Sequence, residues 1–187
     1  MPAPIISKEE VLDRLTAAFR QHGYDGASVA RLSMATGLGK ASLYHYFKGG
    51  KQEMAEAVMA HVGGSFSELV LDPLRRDAAP AQRLNQMILG LNEFYHRGNA
   101  SCILDLFGIG SAGELFRLQL KGSIDRFRNA IARTLEDAGL DQTIATNRAE
   151  DAVVAIQGAL VISRATDSRD AFQRVIAELP GRLLRQP

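Results

Sequence analysis

The chain has a single cysteine, almost no net charge and no long apolar run, and each scarcity excludes a class of protein. The one cysteine, Cys102, cannot form a disulfide within the chain, so we expect a reducing compartment and a cytoplasmic protein. No apolar run approaches the roughly 20 residues of a membrane span, so no membrane partner is expected. The opening segment MPAPIISKEE lacks the charged and then apolar pattern of a signal peptide.

The charge is unevenly distributed along the chain. A formal net charge of +1 gives no argument for a nucleic-acid partner by itself. The segment 28–51, SVARLSMATGLGKASLYHYFKGGK, contains Arg31, Lys40, Lys48 and Lys51 and no acidic residue. This local basic stretch favours a surface for an anionic partner.

The same segment has the pattern of two short helices joined by a tight turn. Val29, Leu32 and Ala35 form one apolar stripe at helical spacing. Gly37 follows where the chain must turn, because glycine accepts a positive φ without strain. A second short helix is expected over residues 39–46. The pattern predicts a helix-turn-helix, whose second helix enters the major groove of DNA.

The remainder of the chain shows helical periodicity and no strand pattern, so we expect an all-α protein of about nine helices. With 187 residues, of which 46% are hydrophobic, the chain can build a sizeable core without disulfides. A capping box, Ser7-x-x-Glu10, opens the first helix. Long helices are expected over 51–71, 113–138 and 142–166, and Pro180 is expected to end or kink the last helix.

The string TGLGKASLYHYF, followed by a glycine–lysine step, resembles the DNA-binding motif of TetR-family transcriptional repressors. The chain keeps these residues of the motif: Gly37, Leu43, Tyr44, Tyr46 and Phe47. It departs from the motif by small changes at four positions: Leu38 replaces Val, Gly39 replaces Ser, Ala41 replaces Gly and Ser42 replaces Thr. The segment 49–51, Gly-Gly-Lys where most members have Ser-Lys, resembles the LmrA/YxaF-like branch.

The resemblance implies both an architecture and a function. It implies an N-terminal three-helix DNA-binding domain over residues 1–50 and a C-terminal ligand-binding and dimerisation domain over residues 51–187. The implied activity is that of a transcriptional repressor, not an enzyme, with no cofactor. Its implied partners are a palindromic operator in double-stranded DNA, a second copy of the chain, and a small-molecule effector that releases the DNA.

A helix in the major groove needs small residues at close approaches and polar residues that reach bases or phosphates. Lys40, Ser42 and His45 are the candidates for base or near-base contacts, and the resemblance implies that Tyr44 and Lys51 contact phosphates. The full set of predicted DNA-binding residues is Ser28, Lys40, Ala41, Ser42, Tyr44, His45, Tyr46, Lys48 and Lys51. Each of them, taken singly, could instead be an ordinary core or surface residue.

The C-terminal part supplies candidates for an effector pocket and a dimer interface. The predicted pocket residues are Phe66, Leu69, Met87, Leu91, Phe94, Cys102, Leu106, Phe107 and Phe127. Because few of them are polar, an apolar or aromatic ligand is expected. The predicted interface residues are Val153, Ile156, Gln157, Leu160, Val161, Arg164, Phe172, Val175, Ile176 and Leu179. Both sets could also be plain hydrophobic core within one chain.

An enzyme and a metal-binding protein are the first alternatives to a DNA-binding repressor. A Cys nucleophile needs a neighbouring base, and no acid–base pattern surrounds Cys102, which argues against an enzyme. No pair of histidines has metal-ligand spacing with a cysteine or acid nearby, so no metal is expected. Two alternatives stay open: a redox-responsive regulator triggered at Cys102, and a helical protein that sequesters drugs.

Overall fold

The computed structural model describes residues 6–185, and these residues form helices with short connections and no β-strand. The α-helices are α1 (Lys8–Gly26), α2 (Val29–Thr36), α3 (Lys40–Tyr46), α4 (Gly50–Phe66), α5 (Asp72–Leu74), α6 (Pro80–Phe94), α7 (Ile103–Phe107), α8 (Gly110–Leu115), α9 (Arg117–Asp137), α10 (Gln142–Thr166) and α11 (Asp170–Leu183). A π-helical turn, Ser67–Leu71, joins α4 to α5, and a 3₁₀ turn, His96–Gly98, follows α6. The all-α prediction is confirmed. In the described part of the chain, no helix is long and apolar enough to cross a membrane.

Several predicted helices differ from the observed ones. The helix predicted over 113–138 is two helices, because Phe116 leaves the helical backbone conformation (φ −111°, ψ 13°) and buries its ring. The helix predicted over 142–166 is confirmed as α10. Pro180 does not end α11, which continues to Leu183. Because proline has no amide hydrogen, α11 lacks the hydrogen bond from position 180 to the Ile176 carbonyl but continues for one more turn.

The start of α1 contains half of the predicted capping box. The Ser7 hydroxyl accepts a hydrogen bond from the Glu10 amide at 3.1 Å, so Ser7 is the N-cap. The Glu10 carboxylate accepts instead from Arg14 at 2.5 Å and does not return to Ser7. Further along, Gly23 adopts φ 64° and ψ 177°, which interrupts the helix before it resumes to Gly26.

Two hydrophobic cores hold the helices together. The first contains Val11, Leu15, Phe19, Leu32, Leu43, Phe47, Met54 and Val58 of α1–α4, together with Ile103, Phe107, Ala112, Phe116 and Leu120 of the α7–α9 region. The second joins α6, α9, α10 and α11 with the turn after α4. The domain boundary after residue 50 stays a prediction, and the first core draws on residues from both sides of it.

The end of α1 is tied to α8 by aromatic packing and by a carboxylate. The rings of Phe19 and Phe107 meet edge to face at 5.4 Å between centroids, and those of Tyr24 and Phe116 do the same at 5.4 Å. Asp25 accepts hydrogen bonds from the Ser111 hydroxyl and from the Ser111 amide, the latter at 3.0 Å. These contacts fix the helix that precedes the helix-turn-helix to the C-terminal helices.

Gly90 of α6 lies against the main chain of the π-helical turn, where no side chain fits. A Cβ added there would stand 2.6 Å from the carbonyl carbon of Leu69 and closer still to its oxygen. We expect Gly90→Ala to lower the free energy of unfolding by about 1–3 kcal/mol, the usual cost of overpacking. A Cβ added at Gly64 meets no atom within 4 Å, so Gly64→Ala should raise the free energy of unfolding by up to about 1 kcal/mol. Urea unfolding of both variants checks this, and equal effects would contradict it.

The contact between Asp25 and Ser111 predicts a pH dependence of stability. Hydrogen bonds from the Ser111 hydroxyl and amide lower the pKa of Asp25 below its ordinary 3.8. The ionised carboxylate therefore stabilises the fold above the ordinary pKa, and this contribution is lost as the pH falls through the lower folded-state pKa. The stability advantage of the wild type over Asp25→Asn should shrink on acidification. The control Asp77→Asn, at an exposed position, should keep a constant difference from the wild type in the same urea titrations.

Candidate nucleic-acid interface and ligand cavity

The turn between α2 and α3 is held by glycine geometry and by side-chain hydrogen bonds. Gly37 ends α2 in the left-handed conformation (φ 72°, ψ 6°), and its amide donates to the Ser33 carbonyl at 3.1 Å. The Thr36 hydroxyl accepts from the Leu38 amide at 3.3 Å. Arg14 of α1 donates to the Thr36 carbonyl at 2.9 Å. These bonds set the angle at which α3 leaves α2.

The inner side of α3 anchors it to the first core. Leu43 is fully buried and Phe47 is 2% exposed, so the two side chains hold one face of the helix against α1 and α4. Gly39 is the N-cap, and the helix predicted over 39–46 begins one residue later, at Lys40. Because α3 is pinned on this side, its opposite side must face away from the molecule.

The outer side of α3 is exposed and polar. These predicted DNA-binding residues are exposed: Lys40, Ala41, Ser42, Tyr44, His45 and Tyr46. Tyr44 is 48% exposed and Tyr46 is 42% exposed, so neither ring belongs to the core. Within residues 6–185, the side chains of Lys40, Ser42 and His45 form no hydrogen bond or ion pair, which leaves their donors and acceptors available to a ligand.

The predicted DNA-binding residues outside α3 lie in different environments. The Ser28 hydroxyl accepts from the Arg31 amide at 3.3 Å and is the N-cap of α2. Lys48 is exposed. Lys51 is only partly exposed, because its Nζ donates to the Tyr24 carbonyl at 3.1 Å and lies 4.2 Å from the centroid of the Tyr24 ring. The sequence did not indicate this structural role of Lys51.

The glycine pair before α4 has a structural reason. Gly50 adopts φ 65°, and a Cβ there would stand 3.3 Å from the Tyr44 ring. The Gly49 amide donates to the Glu53 carboxylate at 2.6 Å. Glu53 is the first acidic residue after the basic segment 28–51. Its carboxylate lies at the start of α4, where the helix dipole favours a negative charge. The outer face of α3 stays free of acidic residues.

A cavity of about 480 Å³ lies between α4, α9, α10 and the segment that leads into α7. Of the predicted pocket residues, Phe66, Phe94, Cys102 and Phe127 line it. The Phe66 ring meets Phe94 and Phe127 edge to face, with centroids 5.0 and 5.1 Å away. The volume lies within the range of about 300–1,000 Å³ that small-molecule sites occupy.

The other predicted pocket residues do not line this cavity. Leu69 faces a second, more open groove between α1, α4 and α6. Met87 and Leu91 are buried in the second core, while Phe107 is buried in the first core with Leu106 packed against it. The cavity is lined instead by further residues that the sequence analysis missed, among them Glu56, Met59, Arg75, Gln119, Ser123, Arg126 and Gln157. Polar side chains on α9 gave no signal, because such a face is usually solvated.

A buried polar pair includes one residue of the cavity wall, Cys102. The Tyr95 hydroxyl donates to Cys102 Sγ at 3.6 Å, and both residues are buried. Burial, followed by the nearby thiol, raises the pKa of Tyr95 well above its ordinary value. Burial also lowers the pKa of Arg20, which lies close to this pair. Cys102 is 5% exposed, so an oxidant has little access to the thiol that the redox alternative requires.

The predicted dimer residues lie mostly inside the chain. Those buried in the second core are Val153, Ile156, Leu160, Phe172, Ile176 and Leu179, with Val175 packed against it. Gln157 lines the cavity, and Arg164 pairs with Asp105 at 3.1 Å. Val161 is 40% exposed and shares the outer face of α10 with Val154 (65%) and Ile162 (52%). The buried residues cannot contact a partner, whereas this outer face can.

Comparisons with known proteins agree with this architecture. Residues 7–58 match the bacterial regulatory proteins of the tetR family, and residues 80–178 match the C-terminal domain of the LmrA/YxaF-like transcriptional regulators. The HTH-type transcriptional repressor AcnR of Corynebacterium efficiens is 34% identical over 67 residues, which are 36% of this chain and 35% of AcnR. The chain thus spans about a third of the length of that relative.

Solved structures resemble the whole fold. A TetR transcriptional regulator from Legionella pneumophila has a TM-score of 0.80 at 15% identity, covering 96% of this chain and 98% of that chain. A cysteine mutant of the TetR family regulator CifR, solved with 26-base-pair double-strand operator DNA, has a TM-score of 0.74 at 22% identity, covering 99% of this chain and 100% of that one. At these identities the likeness establishes the fold.

The two family matches cover the helix-turn-helix and the helices around the cavity. Both families consist of transcriptional regulators, which confirms the prediction that the chain is not an enzyme. The chain belongs to the TetR family of bacterial transcriptional regulators, in the branch with an LmrA/YxaF-like C-terminal domain.

Proposed function

We propose that this regulator represses transcription as a homodimer, which binds a palindromic operator through α3 and releases it when a small apolar or aromatic effector occupies the cavity. The observation that carries the proposal is the outer face of α3, where polar side chains stand exposed above the buried Leu43 and Phe47. The operator DNA bound by CifR, which has the same fold, supports it.

The predicted DNA-binding residues divide into those that reach base edges and those that reach phosphates. Lys40, at the N-terminal end of α3, and Ser42 and His45 on its outer side contact base edges, because the first residues of a recognition helix enter the groove deepest. Ala41 allows close approach of the backbone. Ser28, Tyr44, Tyr46 and Lys48 contact phosphates around it, which orients the protein but conveys no sequence information. Lys51 positions α4 against Tyr24 and adds positive charge beside the phosphates.

Two copies are needed for specificity, because one short recognition helix reads few base pairs. Two such helices held about 34–36 Å apart, or at a multiple of that spacing, read an inverted repeat. The outer face of α10 supplies the dimer contact. Its exposed Val154, Val161 and Ile162 lie at helical spacing with Gly158 and Ala165, which permit a close approach of two helices. An apolar patch of this kind marks an interaction surface.

Effector binding is coupled to DNA release through α4 and α1. Helix α4 begins beside the DNA-binding face at Gly50 and ends at Phe66 on the cavity wall. An occupant that moves α4 changes the separation of the two recognition helices. The contact between Asp25 and Ser111 offers a second connection, because α8 leads directly into the α9 wall of the cavity. The effector must bind the released state more tightly, since equal affinity shifts nothing.

Selection of bound fragments from a random DNA pool by the purified protein, followed by sequencing, tests the proposal. We expect an enriched inverted repeat. Lys40→Ala should relax the sequence at one position of each half-site at a cost of about 1–3 kcal/mol. Lys48→Ala should weaken binding to all sequences alike and reduce the salt slope by about one.

Lys121→Ala on α9 is the matched control for the two lysine variants, because its side chain pairs with Asp125 away from α3. It should leave both the selected sequence and the affinity unchanged. Failure to enrich any sequence at low salt would contradict DNA binding through α3. Identical effects of Lys40→Ala and Lys48→Ala would contradict the division between base and phosphate contacts.

The dimer contact predicts the effect of a charge on the outer face of α10. Val161→Glu places a carboxylate in the proposed apolar contact, where it would be desolvated without a partner. We expect this variant to sediment as a monomer and to bind a single half-site weakly. Leu89→Glu, at a 60% exposed position on α6, introduces the same charge and should remain dimeric. A monomeric wild type, or a dimeric Val161→Glu, would show that the chains associate elsewhere or not at all.

A further inference from the structure

Part of the wall that α9 presents to the cavity is polar, although the cavity is mainly apolar. Gln119, Gly122, Ser123 and Arg126 all line the cavity. They follow one another at helical spacing and so form one stripe along α9. Because Gly122 has no side chain, the Arg126 guanidinium lies across it, with Nη1 3.6 Å from where a Cβ would stand.

Arg126 carries a charge that no acid of the described chain balances. Its Nη2 donates to the Ser123 hydroxyl at 3.0 Å, and that hydroxyl donates to the Gln119 carbonyl at 2.9 Å. Residues 6–185 offer Arg126 no carboxylate at ion-pair distance. The neighbouring Asp125 is already engaged, because it pairs with Lys121 and with Arg128 at 3.2 Å.

The other charged side chains on the cavity wall already have partners of their own. Arg75 and Glu56 are the other arginine and acidic side chains that line the cavity. Arg75 pairs with Asp72 at 3.1 Å, and the Glu56 carboxylate accepts from the Gln52 amide group at 3.1 Å. Arg126 is itself exposed, so its guanidinium stands at the open side of the cavity, where its remaining N–H groups can donate charge-assisted hydrogen bonds to an acidic group.

The apolar part of the cavity continues inward from this polar stripe. The rings of Phe66, Phe94 and Phe127 form one wall, and Cys102 and Val153 are buried residues that also line the cavity. A ligand with an apolar body therefore has a matching surface, and each CH₂ group buried there contributes about 0.8 kcal/mol. The cavity thus combines an apolar interior with an arginine, Arg126, that has no carboxylate partner within residues 6–185.

We propose that the cavity binds an anionic amphiphile, whose apolar body packs against the three phenylalanine rings and whose acidic head group accepts hydrogen bonds from Arg126. The proposal rests on the proposed function, in which this cavity is the effector site. A cationic head group is disfavoured beside Arg126 and Arg75. A neutral head group fits the same space but lacks the charge-assisted bond. This proposal narrows the class of candidate effectors from apolar or aromatic molecules in general to organic acids.

Isothermal titration calorimetry of the purified full chain with three ligands of equal chain length tests the charge preference. The probes are decanoate, decan-1-ol and decylamine, each below the concentration at which it self-associates. We expect decanoate to bind about tenfold more tightly than decan-1-ol, the gain typical of a charge-assisted hydrogen bond, and decylamine to bind most weakly. Equal affinities, tighter binding of the amine, or no binding of any probe would overturn the proposal.

Variants on the same helix separate Arg126 from the general charge of the protein. Arg126→Gln should reduce decanoate to the affinity of decan-1-ol and leave the affinity for decan-1-ol unchanged. Arg133→Gln removes an exposed arginine of α9 that does not line the cavity, and it should behave as the wild type. If Arg126→Gln keeps the tenfold preference, the head group does not bind at Arg126 and the proposal fails.

Binding of the probes is measured without DNA, which keeps this assignment distinct from the proposed function. Operator affinity is measured in parallel, on the sequence that DNA selection enriches, with and without decanoate. Decanoate that binds as expected but leaves operator affinity unchanged would overturn the proposed effector response and support the assignment of the cavity. Operator release by decan-1-ol and decanoate at equal occupancy, with equal affinities, would support the response and overturn the assignment.

Discussion

The packing of Phe19 and Tyr24 against Phe107 and Phe116 is the interaction on which the rest of the structure depends. A helix-turn-helix of three short helices has little apolar surface of its own to bury. Here its core is completed by α4 and by side chains from the α7–α9 region. The helix-turn-helix and the C-terminal helices therefore share one core. In the proposed function, this shared core carries a change at the cavity to α3.

The exposed faces of α3 and α10 arise because each helix is anchored to a hydrophobic core on its opposite side. Leu43 and Phe47 pack α3 against the first core, so its polar residues face outward. Ile156 and Leu160 pack α10 against the second core, so Val154, Val161 and Ile162 face outward. In the proposed function, the exposed face of α3 binds DNA and that of α10 binds a second chain. Anchoring also explains Lys51, whose hydrogen bond to the Tyr24 carbonyl makes it part of the support for α4 as well as a source of positive charge.

The cavity is a place where the surrounding helices do not pack against one another. Its aromatic wall and its polar α9 stripe come from segments far apart in the chain, such as Phe66 and Arg126. Most of the pocket prediction from sequence rested on residue type alone, and it found the aromatic members. Met87 and Phe107 have the same apolar character as Phe66 and Phe127, but they fill the two cores. Residue type does not distinguish a cavity wall from a core.

The sequence by itself determined the helix-turn-helix, the turn at Gly37, the acid-free basic segment and the extent of α10. These features depend on local properties, namely helical periodicity, the backbone freedom of glycine and the charges of neighbouring residues. Only the tertiary structure decided which face of α10 is buried, which side chains line the cavity, and that Phe116 divides one predicted helix into two. An apolar helix has several faces of similar hydrophobicity, and contacts between distant residues choose among them, which no local pattern records.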